Sequence, residues 1–272
     1  MSPTLNHSES PLINIHEDGH VHTRLCNHAT GEMEEYVEQA VQKGLARIVF
    51  LEHLETGIDY YPPSWLGDEE FTYYFQEGAR LQERFAGLIE IQLGVELGFN
   101  PEATAVILEK LTQYPFARVG ISCHFYRYKN IHLNLLSRRR QSLDQLAAIG
   151  TDKVISTYLH TLIEAVCSVP CNVLCHLDAV LRHLPGVRFT DEHVELIYQL
   201  LDAMHEHAVA LEINTSGFDY RGKAFPVPWI IAAALQRGIS LRAGSDAHRP
   251  SEVGRHFDRL PDLLNTAQHS QS

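Results

Sequence analysis

The sequence alternates short β-rich runs with longer segments of helical periodicity, and this alternation restricts the fold more than any other feature. Seven runs are typical of strands: "LINI", "ARIVFL", "IEIQLGVE", "ARVGIS", "NVLCHL", "VALEIN" and "ISLRAG". Segments between them, such as "GEMEEYVEQAVQKGL" and "PVPWIIAAALQRGI", place apolar residues three and four positions apart, as helices with one buried face do. The pattern predicts βα units around a parallel sheet, and seven repeats favour a closed barrel over an open sheet.

Length and motif content support the same fold. A chain of 272 residues with 44% hydrophobic content is long enough for one barrel-sized domain. The glycine-rich loops G-x-G-x-x-G and G-x-x-x-x-G-K-[ST] are absent from the sequence, so a nucleotide-binding doubly wound sheet lacks its usual support. We predict a single domain over residues 1–272, with flexible tails at 1–11 and 265–272.

Charge and composition exclude several functional classes. The formal charge of −12 argues against binding to long nucleic acids, which relies on clustered Lys and Arg. The sequence has no run of eighteen apolar residues and its N-terminus lacks the pattern of a secretory signal, so no membrane contact is expected. Five cysteines in such a chain predict reduced thiols and a cytoplasmic location.

Six of the seven predicted strands deliver a metal-binding type of side chain where they end, and only "VALEIN" does not. In a parallel barrel these ends open onto one face, where active sites are built. The side chains should therefore converge. In chain order they are Asp18, His20, His22 and His28, then Glu52 and His53, Glu96, His124, His176, and finally Asp246 and His248.

This set of side chains predicts a metal centre. Residues two apart on a strand point to the same side, so His20 and His22 can face one ion. Imidazole and carboxylate ligands without thiolate suit zinc, iron or manganese. Without Asp18 and Glu52, nine such groups remain, more than one ion needs. They would fit two or three ions that share a bridging carboxylate, for which we predict Glu96. Asp18 and Glu52 are expected to hydrogen-bond ligating imidazoles from outside.

The same residues resemble the polymerase and histidinol phosphatase (PHP) family, most closely its histidinol-phosphatase branch. The resemblance runs almost end to end. It rests on "DGHVHTRLCNHATG", "FLEHLE", "GVELGF", "GISCHF", "CHLDAV", "LEINTSG" and "AGSDAHRPSEVG", in the family's order. One departure is Glu52, where relatives usually have Asp before the histidine.

The resemblance implies a distorted (β/α)7 barrel of the TIM type, with a trinuclear metal centre at the C-terminal ends of the strands. It implies hydrolysis of L-histidinol phosphate, a small phosphate ester, by a metal-activated hydroxide. The candidates for basic residues that bind phosphate are Arg127, Arg221 and Lys223. The implied metal ligands are His20, His22, His28, His53, Glu96, His124, His176, Asp246 and His248, and the implied catalytic residues are Glu96, His176, Asp246 and His248.

Alternative functions stay open at this stage. A metal-dependent amidohydrolase also begins with H-x-H, and a related centre could cleave phosphodiesters or another small phosphate ester. A regulatory metal-binding module is the non-enzymatic alternative. The oligomeric state has no signal in the sequence. Loops at 55–67 and 125–134 are expected over the barrel mouth, with the acidic residues Glu55, Asp59, Asp68, Glu69 and Glu70 as a solvated rim.

Overall fold

The computed structural model describes residues 12–184 and 186–269, and its centre is a barrel of seven parallel strands. In the sheet, the strands follow one another in chain order. A single parallel bridge between Val21 and Ala247 brings the two edges of the sheet together, so the barrel is nearly closed. The strands are β1 (Glu17–Val21), β2 (Arg47–Glu55), β3 (Glu90–Gly98), β4 (Val119–Ser122), β7 (Val173–Leu174), β8 (Ala210–Asn214) and β9 (Leu241–Gly244).

Helices surround the barrel, and their apolar faces pack against the outer surface of the sheet. In α5, for example, Val154, Tyr158, Leu162 and Ala165 are buried three or four positions apart. Within 12–184 and 186–269, no helix has the length and apolar character needed to cross a membrane. The helices are α1 (Met33–Gln42), α2 (Asp68–Arg84), α3 (Thr104–Gln113), α4 (Arg140–Ile149), α5 (Thr151–Ser168), α6 (Asp191–Glu206), α7 (Gly217–Arg221), α8 (Pro228–Gln236) and α9 (Leu260–His269).

The first strand lies five residues later than the sequence predicts. "LINI" is followed by a turn, and the strand is the charged segment "EDGHV", all of it buried. Burial of Glu17 is compensated because its carboxylate pairs with Arg47 at 2.6 Å and with Arg118 at 2.7 Å. Asp18 and His20 therefore lie within the strand, where the hydrophobic pattern gave no signal.

Two other segments differ from expectation. Residues 125–134 form an antiparallel hairpin, with β5 (Phe125–Tyr128) paired to β6 (Ile131–Asn134), in place of an irregular loop. The C-terminal tail expected from residue 265 is helical as far as His269, because Ala267 is buried on the inner face of α9. The expected tails at 1–11 and 270–272 lie outside the described residues.

All five cysteines are free thiols, as predicted.

Candidate metal centre

Glu96 lies at the centre of a cluster of imidazoles at the carboxyl ends of the strands. Its Oε1 is 2.8 Å from His176 Nε2 and 3.2 Å from His124 Nε2. Its Oε2 is 3.1 Å from His53 Nδ1 and 3.4 Å from Nε2 of both His20 and His22. One carboxylate thus faces five rings, two through one oxygen and three through the other, as a ligand that bridges two ions would.

A second group of side chains adjoins the first on the barrel axis. Asp246 Oδ1 is 3.5 Å from His22 Nε2 and 3.5 Å from His248 Nδ1. His28 reaches in from the loop after β1, and its Nε2 is 2.9 Å from His248 Nε2. The structure therefore brings together all nine predicted ligand residues. Two sets of three among them, His22, His53 and His248 in one and His20, His22 and Asp246 in the other, have their ligand atoms within 4.8 Å of one another.

Sheet register and backbone conformation position these groups. His53 and Glu96 are direct partners across the β2–β3 ladder, so both side chains point into the barrel mouth. His176 and Asp246 follow β7 and β9, and both have left-handed backbone conformations, with φ of 27° and 51°. Such conformations cost energy for residues other than glycine and cluster at functional sites. The fold holds these two side chains toward the cluster despite that cost.

Two buried carboxylates that sequence reasoning missed fix the outer nitrogens of the rings. Glu212 on β8 lies with Oε1 2.6 Å from His20 Nδ1, and its Oε2 accepts a hydrogen bond from the His176 backbone N–H at 2.8 Å. Glu55 Oε1 lies 2.6 Å from His124 Nδ1. Glu55 is therefore buried at the site and is not part of a solvated rim. A glutamate inside the otherwise apolar run "VALEIN" was the available signal for Glu212.

Close backbone approach makes room for both carboxylates. A Cβ on Gly244 would lie 2.1 Å from Glu212 Oε1 and 2.8 Å from His20 Cβ, distances that real atoms do not tolerate. A Cβ on Gly98 would likewise lie 2.0 Å from Glu55 Oε1. Glycine at these two positions allows each carboxylate to reach its imidazole.

Asp18 and Glu52 have different contacts from those predicted. Asp18 Oδ1 accepts from Ser245 N–H at 2.9 Å and its Oδ2 accepts from Gly254 N–H at 2.7 Å, so it joins β1 to the segment after β9. Glu52 Oε1 accepts from Thr23 N–H at 2.8 Å and from the Thr23 hydroxyl at 2.5 Å. Both carboxylates hold the backbone around the site, whereas Glu212 and Glu55 take the predicted role beside the imidazoles.

The charges of the cluster follow from its burial and its mutual contacts. Burial opposes ionisation of Glu96, but His124, His20 and His53 outweigh it and hold the pKa of Glu96 well below its usual range. Burial also disfavours charge on His124, yet Glu96 and Glu55 raise its pKa to about 10. Burial dominates at His53 and lowers its pKa to about 4. Glu96 is thus ionised in a largely desolvated site.

The arrangement of donors and acceptors fits metal ions. A neutral imidazole that donates through Nδ1 to a carboxylate carries a lone pair on Nε2. His20 beside Glu212 and His124 beside Glu55 have this Nδ1 contact, and the Nε2 atoms of both rings face oxygens of Glu96. The raised pKa of His124 keeps a proton on its Nε2, and a metal ion that binds there would displace that proton. Within the described residues, Glu96 Oε2 is buried without a hydrogen-bond donor. Nitrogen and oxygen atoms that converge at this spacing form a ligand set for a cation, and these atom types suit zinc, iron or manganese.

A cavity of about 1030 Å³ opens from the cluster to solvent. Its polar wall contains arginines that the sequence did not single out, namely Arg138, Arg139, Arg182, Arg249 and Arg255. Tyr60 and Phe125 line it on the aromatic side, with ring centroids 5.0 Å apart. The cavity is large enough for a small ligand and offers both cationic and apolar contacts.

The three basic residues proposed from the sequence lie elsewhere. Arg221 donates from Nη1 and Nη2 to the two carboxylate oxygens of buried Asp178, each at 2.9 Å. Arg127 pairs with Glu102. Lys223 is exposed. None of them lines the cavity described above, because sequence proximity to a motif does not fix the direction of a long side chain.

The comparison with known families identifies the family of this chain. The PHP domain model matches residues 18–216, a range that contains seven of the nine clustered ligand residues. The chain belongs to the PHP domain family. The PHP chain continues beyond the matched range through β9, which is followed by Asp246 and His248.

Relatives of this PHP protein share most of its length. A Deinococcus radiodurans protein named "Probable histidinol-phosphatase" is 31% identical over 88% of this chain and 89% of its own. The histidinol-phosphatase of Bacillus subtilis is 27% identical over 89% of this chain and 96% of its own.

A solved PHP structure has the same fold. The histidinol phosphate phosphatase of Lactococcus lactis, in complex with zinc, L-histidinol and phosphate, superimposes with a TM-score of 0.75. The alignment covers 92% of this chain and 93% of the other, at 22% identity. The seven-stranded barrel predicted from the sequence is therefore confirmed.

Proposed function

We propose that this protein is a metal-dependent phosphomonoesterase that hydrolyses L-histidinol phosphate to L-histidinol and phosphate. The observation that carries the proposal is the convergence of seven imidazoles with the carboxylates of Glu96 and Asp246 at the mouth of the cavity. Relatives of similar length that are named histidinol-phosphatases support the choice of substrate. A role in histidine biosynthesis in the cytoplasm, without a nucleic-acid or membrane partner, belongs to the same proposal.

The nine clustered residues would hold two or three divalent ions. Glu96 would bridge them, because its two oxygens face different sets of rings. Zinc is supported by its presence in the Lactococcus lactis structure, and iron and manganese accept the same ligands. When bound, such ions lower the pKa of water to about 7 and polarise phosphoryl oxygens.

The remaining residues orient the rings and the substrate. Glu212 and Glu55 hold His20 and His124 with Nε2 toward the centre, which fixes their tautomers. Arginines on the polar wall would bind phosphate oxygens that point away from the ions. Of these, Arg182 has two buried guanidinium nitrogens, Nε and Nη1, without a hydrogen-bond acceptor in the described part of the chain.

The leaving group would lie toward the aromatic wall. Phe125 is flanked by Tyr60 and by Trp65, whose ring centroid is 6.1 Å away. Aromatic faces attract cations and stack on planar rings, and the ammonium and imidazole of histidinol offer both. This wall would distinguish histidinol phosphate from esters with small aliphatic alcohols.

Steady-state kinetics would test the proposal. We expect kcat/KM for L-histidinol phosphate to exceed that for p-nitrophenyl phosphate and for a sugar phosphate, with activity lost in chelator and restored by zinc. Glu96→Gln should abolish turnover but lower the midpoint of thermal unfolding only slightly. Equal rate constants for the three esters would refute the substrate assignment and leave a phosphoesterase for another small ester. If the metal-loaded protein hydrolysed none of the three esters, the proposal that it is a phosphomonoesterase would be refuted.

A further inference from the structure

The ring of Tyr220 lies against two arginines from two other loops. The guanidinium carbon of Arg182, in the segment after β7, is 4.4 Å from the Tyr220 ring centroid. That of Arg138, which follows β6, is 5.2 Å away, and its Nη2 donates to the Tyr220 hydroxyl at 2.8 Å. All three residues line the cavity that opens from the candidate metal centre.

Within the described residues, no carboxylate balances the charge of this pair of arginines. Arg221, Arg237 and Arg255 each form an ion pair with a carboxylate. Among the residues that the structure describes, neither Arg138 nor Arg182 does so. Two like charges are therefore held near each other with an aromatic ring as their shared contact, which is unfavourable unless an anion binds between them.

Groups next to Arg138 and Arg182 also indicate a local excess of positive charge. Arg182 Nε and Nη1 and His183 Nε2 are buried without a hydrogen-bond partner within 12–184 and 186–269. Burial, followed by the charges of Arg182 and Arg138, lowers the pKa of His183 to about 4. The two Arg182 nitrogens are donors without acceptors beside the cavity, and an anion with several oxygens would accept hydrogen bonds from them.

We propose that Tyr220 is a positioning residue that holds Arg138 and Arg182 as one binding pair for the phosphate group of the substrate. Stacking fixes the planes of the two guanidinium groups without neutralising them, so both charges remain available. The hydroxyl oxygen accepts from Arg138, which leaves the hydroxyl proton of Tyr220 free to donate to a phosphate oxygen. The inference rests on the proposed function.

Binding of inorganic phosphate to the metal-loaded protein tests this role without turnover. Tyr220→Leu should raise the phosphate Kd roughly five- to thirtyfold by calorimetry, because it removes both stacks. Tyr220→Phe keeps the ring and should raise it about two- to fivefold. The matched control is Tyr198→Leu, which removes a comparable stack on Arg237, 5.1 Å from the ring and outside the cavity.

Two further readouts separate positioning from a structural effect. Metal content and the unfolding midpoint of Tyr220→Phe should equal those of the wild type, and in turnover KM should rise while kcat stays within about twofold. An unchanged phosphate Kd in Tyr220→Leu, or an equal loss in Tyr198→Leu, would overturn the inference. If Tyr220→Leu weakens phosphate binding as expected but the wild-type protein does not hydrolyse histidinol phosphate, the proposed function fails and the role of Tyr220 stands.

Discussion

The Nε2 atoms of His28 and His248 lie 2.9 Å apart, although the two residues are 220 positions apart in the chain. Each ring faces a backbone carbonyl through Nδ1, at 2.9 Å for His28 on Cys26 and 3.0 Å for His248 on Asp246. Each Nδ1 therefore carries the proton, and two lone pairs oppose each other. Burial, then His53 and His248, lower the pKa of His28 to about 3, so no proton is shared between the rings at neutral pH.

Removal of metal should therefore cost stability as well as activity. We expect two or three zinc-class ions per chain by elemental analysis, and a chelator should lower the unfolding midpoint. An ion present at about a thousandfold excess over its Kd stabilises the folded state by about 4 kcal/mol. Fewer than one ion per chain in a fully active preparation would contradict a multinuclear centre.

Substitution of Glu212 should weaken metal binding although Glu212 need not touch an ion. Glu212→Gln replaces an obligate acceptor beside His20 Nδ1 with an amide, so the ring loses its fixed tautomer. We expect zinc affinity to fall about 10- to 100-fold in a competition assay with a fluorescent chelator. The exposed Glu83→Gln variant is the control. Wild-type affinity in Glu212→Gln would show that the carboxylate does not orient His20.

The arginine variants should divide into structural and functional classes. Arg221→Ala leaves the buried Asp178 carboxylate unpaired and should lower the free energy of unfolding by about 3 kcal/mol, as measured in urea. Arg182→Ala should raise KM by at least about tenfold at nearly unchanged stability. Arg127→Ala should change stability by less than about 1 kcal/mol, because its pairing with Glu102 is half-exposed. A KM effect limited to Arg127 or Lys223 would restore the assignment made from the sequence.

Tyr60 and Tyr61 form a matched pair for testing the leaving-group wall. Tyr60 lines the cavity beside Phe125, whereas 85% of Tyr61 is exposed to solvent. Tyr60→Ala should lower kcat/KM for histidinol phosphate roughly tenfold and leave p-nitrophenyl phosphate within about twofold. Tyr61→Ala should change neither rate constant. An equal loss on both substrates in Tyr60→Ala would point to a structural role for the ring.

Protonation of His183 should contribute to loss of stability in acid. Its pKa is lowered to about 4 by burial, Arg182 and Arg138, whereas a histidine in the unfolded chain titrates near about 6.5. The unfolded state therefore binds more protons between these values, and stability falls as pH drops through this window. In urea unfolding at pH 7 and pH 5, His183→Gln should lose less stability than the wild type. The exposed His160→Gln should behave as the wild type does; an identical loss in His183→Gln would contradict the shift.

Local sequence patterns were enough to predict the barrel and the nine residues that cluster at its mouth. Strand and helix patterns are local, and βα alternation leaves few arrangements for a parallel sheet. The carboxyl ends of parallel strands meet on one face, so position along the chain was enough to gather His20, Glu96 and Asp246.

The contacts of the surrounding carboxylates and arginines, by contrast, follow from long-range packing that no local pattern predicts. Glu212 contacts His20 across 192 residues, and Gly244 must leave space for it, which no local pattern encodes. The sequence predicted that Asp18 and Glu52 hydrogen-bond imidazoles. In the structure, backbone N–H groups donate to both carboxylates instead. Arg221 turns toward the buried Asp178 carboxylate, whereas Arg182 lies against the Tyr220 ring. The direction of such long side chains depends on which charges and rings their neighbours present, and therefore on the packing of the whole barrel.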